Sequence, residues 1–440
     1  MKTNVARKIH THEGGIAKQV NPEQQLRRSV MSCLLWEKEF YESGEDIAKR
    51  ISFLVGQVSP DVVSEIAVEA RSKMKLRHCP LWIAVSMLEH PAHKTHVAKL
   101  LPRIIQRADE LSEFLALYWK GGSRKQNGKL KMAHQVRKGL AKAFCNFSEY
   151  ELVKYNRDGA VKLRDVLFLS HAKPKDEDQA ALWKRLINGE LATPDTWEVA
   201  LSSGGDKQAH WLRLLAEKKL GAMALLRNLR NMQEAAVPVA DIRKALSNIK
   251  TERVLPFRFI AAARHAPSLE PELEAAMFKC VVEQSRIDGE TILLVDVSGS
   301  MDYQLSGKSD LTRLDAACGL GMLLREVCEN VRIFTFSNNL VEVPPRRGFA
   351  LRDAIVGSQP HGGTQLGGAL RLLGTSTRDR IIVITDEQSS DSVPDPIGTG
   401  WMINVASARN GVGYGAWRHI DGWSEAVVDY MRVSEEKTMS

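Results

Sequence analysis

Between Asn21 and about Arg286 the apolar residues recur at three- and four-residue spacing, the period of a helix with one buried face. Stretches 45–58, 60–74, 81–89, 95–107 and 109–119 each predict an amphipathic helix. Ser59-Pro60-Asp61 and Thr193-Pro194-Asp195 place an N-cap before a proline whose fixed φ suits the first helical position. Strand-type alternation is nearly absent here. Roughly 12 to 16 short helices with brief connections predict a helical-repeat array rather than a compact bundle. Near Gly289 the period changes. Residues 291–297 form a continuous apolar run, as in a strand buried on both faces. Residues 311–329 then read as a helix, and 331–336, 381–385 and 401–406 as further buried strands. Strands alternating with helices predict a doubly wound α/β domain. The expected organisation is an N-terminal arm over 1–20 that orders on binding, an all-helical module over 21–288 and an α/β domain over 289–440.

Composition narrows the class. The 440 residues are 44% hydrophobic and 26% charged, values of a folded multidomain protein rather than a disordered one. No apolar run approaches a membrane span and no secretory leader opens the chain, which points to the cytoplasm. The six cysteines are scattered without a C-x-x-C pair, arguing against a zinc ribbon or a disulfide framework. The net charge of +8 is unevenly spread: residues 1–288 hold 47 Lys and Arg against 34 Asp and Glu, residues 289–440 hold 14 against 19. A polyanion is therefore expected on the helical part.

The strongest chemical signal is Asp296-Val297-Ser298-Gly299-Ser300, directly after the first buried strand and so at the carboxyl edge of the sheet. It offers hard oxygen ligands from one loop, with Gly299 expected to let the backbone fold tightly. Thr364, in His361-Gly362-Gly363-Thr364, and Asp386, in Thr385-Asp386-Glu387, are expected at the same edge, each at a strand's carboxyl end. D-x-S-x-S, then a threonine, then an aspartate resembles the metal-ion-dependent adhesion site of von Willebrand factor A domains. The resemblance implies Mg²⁺ or Mn²⁺ on Ser298, Ser300 and Thr364, with Asp296 and Asp386 holding metal-bound waters or binding directly. Such an ion keeps an open position for an acidic group of a partner. The D-x-S-x-S loop has no histidine or lysine to act as base, and no G-x-S-x-G elbow surrounds its serines, so the expectation is a binding protein and not an enzyme.

The helical part carries a second signal. From Phe114 to Ser148 there is no acidic residue, while eight Lys and Arg fall inside the stretch. On a helix Lys131, Gln135, Lys138 and Lys142 share one face, opposite Ala133, Val136, Leu140, Phe144 and Phe147. A solvated face would normally mix in Glu at i±4, so this ridge points to phosphate contact.

Lys154-Tyr155-Asn156-Arg157, then LRDVL at 163–167 and LSHAKP at 169–174, resemble the TROVE module of the Ro autoantigen family. RRSVMSCLLWEKEFYESG at 27–44, TWEVAL at 196–201 and MALLRNLRNM at 223–232 extend the resemblance. It implies a HEAT-like helical ring followed by a von Willebrand factor A-like domain, in a monomer within a cytoplasmic ribonucleoprotein. It further implies structured small (Y-like) RNA on the basic outer surface and single-stranded RNA ends in a central hole, with a role in RNA quality control beside a 3′ exoribonuclease. Lys154, Arg157 and His171 match the family's RNA-contacting residues, and Lys138 and Lys142 its adjoining basic helix. The loop between Arg157 and Arg164 departs in length and lacks the animal tryptophan, so no contact is carried over onto 159–162.

The rival reading is a metal-dependent protein-interaction module whose basic half is only a frame. An RNA-cleaving enzyme lacks paired histidines, a carboxylate cluster or a phosphate loop. His90, His93 and His96 suggest zinc, but Pro91 is expected to break the helix between them.

Overall fold

The computed structural model describes residues 8–33, 42–120, 125–126, 129–130, 132–156, 159–193, 195–202, 204–252, 254–280, 286–305, 310–374 and 379–439. They fall into two compact units, Glu45–Gly205 on one hand and Met1–Gly44 with Asp206–Ser440 on the other. Among the described residues no helix is long and apolar enough to cross a membrane.

The Glu45–Gly205 unit is helical, as the three- and four-residue spacing predicts. Pro60–Ser72, His78–Met87, Pro91–Ile104, Ala108–Lys120 and His134–Phe144 bury their apolar stripes against one another. Gly139 lets His134–Phe144 approach Pro91–Ile104 closely, because a Cβ there would lie 2.8 Å from a Leu101 methyl. Glu110 is fully buried yet satisfied: it pairs with Arg71 at 2.8 Å and accepts the backbone N–H groups of Gln106 and Arg107 at 2.8 and 3.1 Å. One carboxylate thus caps a helix start and joins two helices.

Three local expectations change. Pro91 starts its helix rather than breaking one, since the missing N–H matters least at the first position. His93 and His96 accordingly share that helix, yet His93 Nε2 faces the Val58 carbonyl at 2.9 Å and His96 pairs with Asp61. Ser59 does precede Pro60, but without a side-chain capping bond. Pro194 lies outside the described residues, and β1 (Lys125–Gln126) and β2 (Lys129–Leu130) form a small antiparallel pair where strands were not expected.

The second unit holds the sheet. Its strands are β3 (Ile287–Asp296), β4 (Cys328–Phe336), β5 (Leu340–Val343), β6 (Arg380–Thr385), β7 (Thr399–Asn404) and β8 (Arg418–Asp421). The order is β5-β4-β3-β6-β7-β8, parallel except for β5, as a doubly wound α/β domain requires. Period-2 geometry splits β3 between two cores: Ile292 and Leu294 join Leu366, Leu370 and Met402, while Leu293 and Val295 lie against Gly321 on the Arg313–Val327 helix.

Helical structure gives way to parallel strands at Ile287, but packing divides the chain elsewhere. Helices after Asp206 belong with the sheet: the Phe257 ring meets Trp423 edge-on, and Phe349 N donates to Glu274 at 2.7 Å. Residues 8–20, expected as an arm ordered only on binding, also pack on this domain. His10 bridges Ile16, and Lys18 N donates to the Gly411 carbonyl at 3.0 Å.

Candidate metal centre and nucleic-acid interface

Asp296 closes β3 and is fully buried at the carboxyl edge of the sheet. Its Oδ1 accepts from Ser298 N at 2.9 Å and its Oδ2 from the Thr385 hydroxyl at 2.6 Å. The next turn, Gly299–Asp302, brings Ser298 Oγ and Ser300 Oγ to 3.2 Å of each other. Gly299 N donates to the Gly362 carbonyl at 2.9 Å, which ties this loop to the one carrying Thr364. A Cβ at Gly299 would meet only ordinary contacts, so the tight-turn role expected of it is not required. Gly362 is the constrained position, because a Cβ there would collide with the Asn338 amide.

Thr364 does not follow a strand. Its loop joins helices Gly348–Val356 and Leu366–Leu373, and Ser337, just past β4, draws it to the edge by accepting Gln365 N at 3.0 Å. Asp386, fully buried, follows β6, and its Oδ1 accepts Gln388 N at 3.1 Å. Burial and the neighbouring Asp386 carboxylate push Asp296 up to about 7. Two facing carboxylates and three hydroxyls are an all-oxygen set that fits a hard divalent cation such as Mg²⁺ or Mn²⁺. Asp296 already accepts on both oxygens, which suits binding through water, and Ser298, Ser300 and Thr364 would be the direct ligands.

Residues that sequence reasoning did not single out complete the site. Arg313, buried at the start of its helix, places Nη1 3.4 Å from Asp386 Oδ2. Arg28 reaches in from the Pro22–Met31 helix and is also buried. Its Nη1 pairs with Glu387 at 2.5 Å, while Nε and Nη2 donate to the Ala408 and Asn410 carbonyls at 2.6 and 3.2 Å. Glu387 also meets His419 Nε2, and His419 Nδ1 lies 3.3 Å from Asp421. Burial disfavours the Glu387 charge, yet Arg28 and His419 outweigh it and hold the carboxyl at about 2. Nothing in RRSVM distinguishes the buried Arg28 from its half-buried neighbour Arg27.

The basic helix is as the spacing predicts. Val136, Leu140, Phe144 and Phe147 are buried, and Lys138 and Lys142 are exposed. The helix begins at His134, however, so Lys131 precedes it and lies outside the described residues, as does Arg157. Lys154 sits on the Glu149–Tyr155 helix, with Nζ 5.6 Å from the Tyr150 ring centre and 5.7 Å from that of Tyr155. Arg107 lies over the other ring contact of this group, 4.6 Å from the Tyr155 centre. These aromatic partners were missed; two tyrosines flanking Lys154, just past the acid-free run, were the available signal. His171, exposed, ends the Leu163–Ser170 helix in a left-handed conformation at φ 53°. Just beyond it, Lys175 Nζ donates to the Cys145 carbonyl at 2.8 Å, so the structure brings the segment after His171 beside the end of the Lys138/Lys142 helix.

Residues 178–290 match the TROVE domain family. Over 91 residues, 19% of this chain, the sequence is 34% identical to telomerase protein component 1 of Mus musculus and 33% identical to that of Rattus norvegicus. The chain spans 4% of the length of these curated relatives. The fold is similar to the crystal structure of the Ro (RSR) protein of Deinococcus radiodurans, with a TM-score of 0.58 at 17% identity over 92% of this chain and 97% of that one. Part of the chain therefore matches the TROVE family, and the chain as a whole has a fold like that of a Ro protein, a helical part followed by a mostly parallel α/β sheet domain. The RNA-contact candidates at 131–171 precede the matched stretch.

Proposed function

We propose that this chain is a Ro-type RNA-binding scaffold that holds structured small RNA and single-stranded RNA ends without acting on them chemically. The observation that carries the reading is the exposed Lys138 and Lys142 ridge, joined in the same unit by Lys154 over Tyr150 and Tyr155. Lysines neutralise phosphates without regard to sequence, and the half-exposed Tyr150 offers a face on which an unpaired base can stack. Duplex, whose bases are already stacked, gains only the first contact. Such a protein suits RNA quality control, where a 3′ exoribonuclease would supply the chemistry. A gel-shift series with a structured small RNA and an unpaired RNA tests the reading. Both should bind, and Tyr150→Ala should weaken the unpaired RNA more than the structured one. Equal losses, or no shift with either RNA, contradict it.

The second reading is a metal-dependent docking site for an acidic group of a partner protein, favoured by the oxygen set around Asp296. The two functions lie on different parts of the chain and coexist in our account. A pull-down with Asp296→Ala should lose such partners while retaining RNA. Partner recovery equal to wild type counts against it.

A further inference from the structure

We infer that residues 9–32 are a built part of the metal centre, holding the three residues after Asp386 and so setting where that carboxylate points. The inference rests on the reading of Asp296, Ser298, Ser300, Thr364 and Asp386 as a metal site. Each residue of the run Glu387-Gln388-Ser389 is tied to the N-terminal segment. Glu387 pairs with Arg28 at 2.5 Å. Gln388 Oε1 accepts His12 N at 2.9 Å, and the Ser389 carbonyl accepts the Thr11 hydroxyl at 2.8 Å. Gln388 then passes the constraint inward, since its backbone N–H donates to Asp386 Oδ1 at 3.1 Å.

The grip is tight on both sides. Gly15 packs so closely on the Ser389 and Asp391 carbonyls that a Cβ there would clash with both. Gly411 and Gly413 leave room for the Arg28 guanidinium and the Glu387 carboxylate, which any side chain at those positions would strike. Asn410 Nδ2 donates back to the His10 carbonyl at 3.1 Å, and Gln25 Nε2 to that of Arg409 at 3.0 Å. Glu387 itself holds a left-handed backbone at φ 62°, unfavourable for a non-glycine residue and sustained here by its buried partners. An edge loop that would otherwise meet solvent is thereby buried from Thr385 to Ser389. Arg28 is a positioning residue in this arrangement: it touches no metal ligand, and acts on Asp386 through the residue next to it.

The test uses the full chain and Mn²⁺ alone, titrated by electron paramagnetic resonance. Thr11→Val removes one buried hydrogen bond, that to the Ser389 carbonyl. A paired Arg28→Met and Glu387→Gln variant removes the ion pair without leaving a buried charge alone. Both should weaken Mn²⁺ binding, the pair by about tenfold, as outer-shell substitutions do, while both variants still unfold cooperatively in EDTA. Mn²⁺ should also slow amide exchange of residues 9–32 in wild type, since coupling is reciprocal. If wild type binds Mn²⁺, Asp296→Ala does not, and both variants match wild type, the inference falls and the metal reading stands. If wild type itself binds no Mn²⁺, both fall.

Discussion

Replacing His419 by glutamine should remove a pH dependence of stability confined to the alkaline side of neutrality. The side chain is buried, with Nε2 against Glu387 and Nδ1 3.3 Å from Asp421 Oδ2, and its ring stacks on Tyr414 at 3.7 Å between centres. Both nitrogens face carboxylates, so the protonated ring satisfies both. Burial opposes that charge, but Asp421 and Glu387 outweigh it and raise His419 to about 9 from its ordinary 6.5. A value raised in the folded state stabilises fully below about pH 6.5, and this contribution is lost as pH rises through about 9. The shift corresponds to on the order of 3 kcal/mol. The assay is urea unfolding followed by tryptophan fluorescence, compared between wild type and His419→Gln across that window. Wild type should lose its advantage over the variant as pH rises, because groups common to both cancel in the difference. Parallel curves would refute the assignment of a charged His419 between Glu387 and Asp421.

Other outcomes follow from the same geometry. Asp296→Asn should abolish Mn²⁺ binding yet raise the unfolding midpoint in EDTA, because it removes one of two facing buried carboxylates; a lowered midpoint contradicts the repulsion. Arg71→Met should destabilise the Glu45–Gly205 unit by about 3 kcal/mol, since among the described residues Glu110 then keeps only the partly exposed Arg77 at 3.2 Å as a charged partner. Urea unfolding at neutral pH reads it, and a change near zero would show the pair to be dispensable. Lys138→Ala with Lys142→Ala should weaken structured and unpaired RNA alike and reduce the slope of log affinity against log salt by about 1 to 2. An unchanged slope places the phosphates elsewhere.

Much of the fold was legible because period is a local property. The three- and four-residue spacing located the helices, and the apolar run at 291–297 located the central strand within a few residues of β3 (Ile287–Asp296). Packing partners were less legible. Charge and periodicity both break near residue 288, but the helices after Asp206 pack with the sheet, and so does the Pro22–Met31 helix, more than 350 residues earlier than the loop it holds. The metal candidates were readable because Asp296, Ser298 and Ser300 form one short motif. The side chains that orient them were not: Arg28 and Arg313 are single arginines whose burial depends on distant carboxylates. Thr364 was placed at the correct edge for the wrong reason, since Ser337 and not a preceding strand brings it there. On the basic side the lysine ridge followed from helical phase, whereas the Tyr150 and Tyr155 rings depend on how Lys154 folds back over its own helix.

The central claim is that the basic helices bind RNA, and fluorescence anisotropy of a labelled single-stranded RNA, titrated at several salt concentrations, tests it most directly. The comparison is between wild type and the triple variant Lys154→Ala, Arg157→Ala and His171→Ala. We predict salt-sensitive binding by wild type and at least about a tenfold loss in the variant, the combined effect of lost phosphate contacts and weakened base stacking. Undetectable or salt-insensitive binding, or equal affinities for the two proteins, would contradict the account.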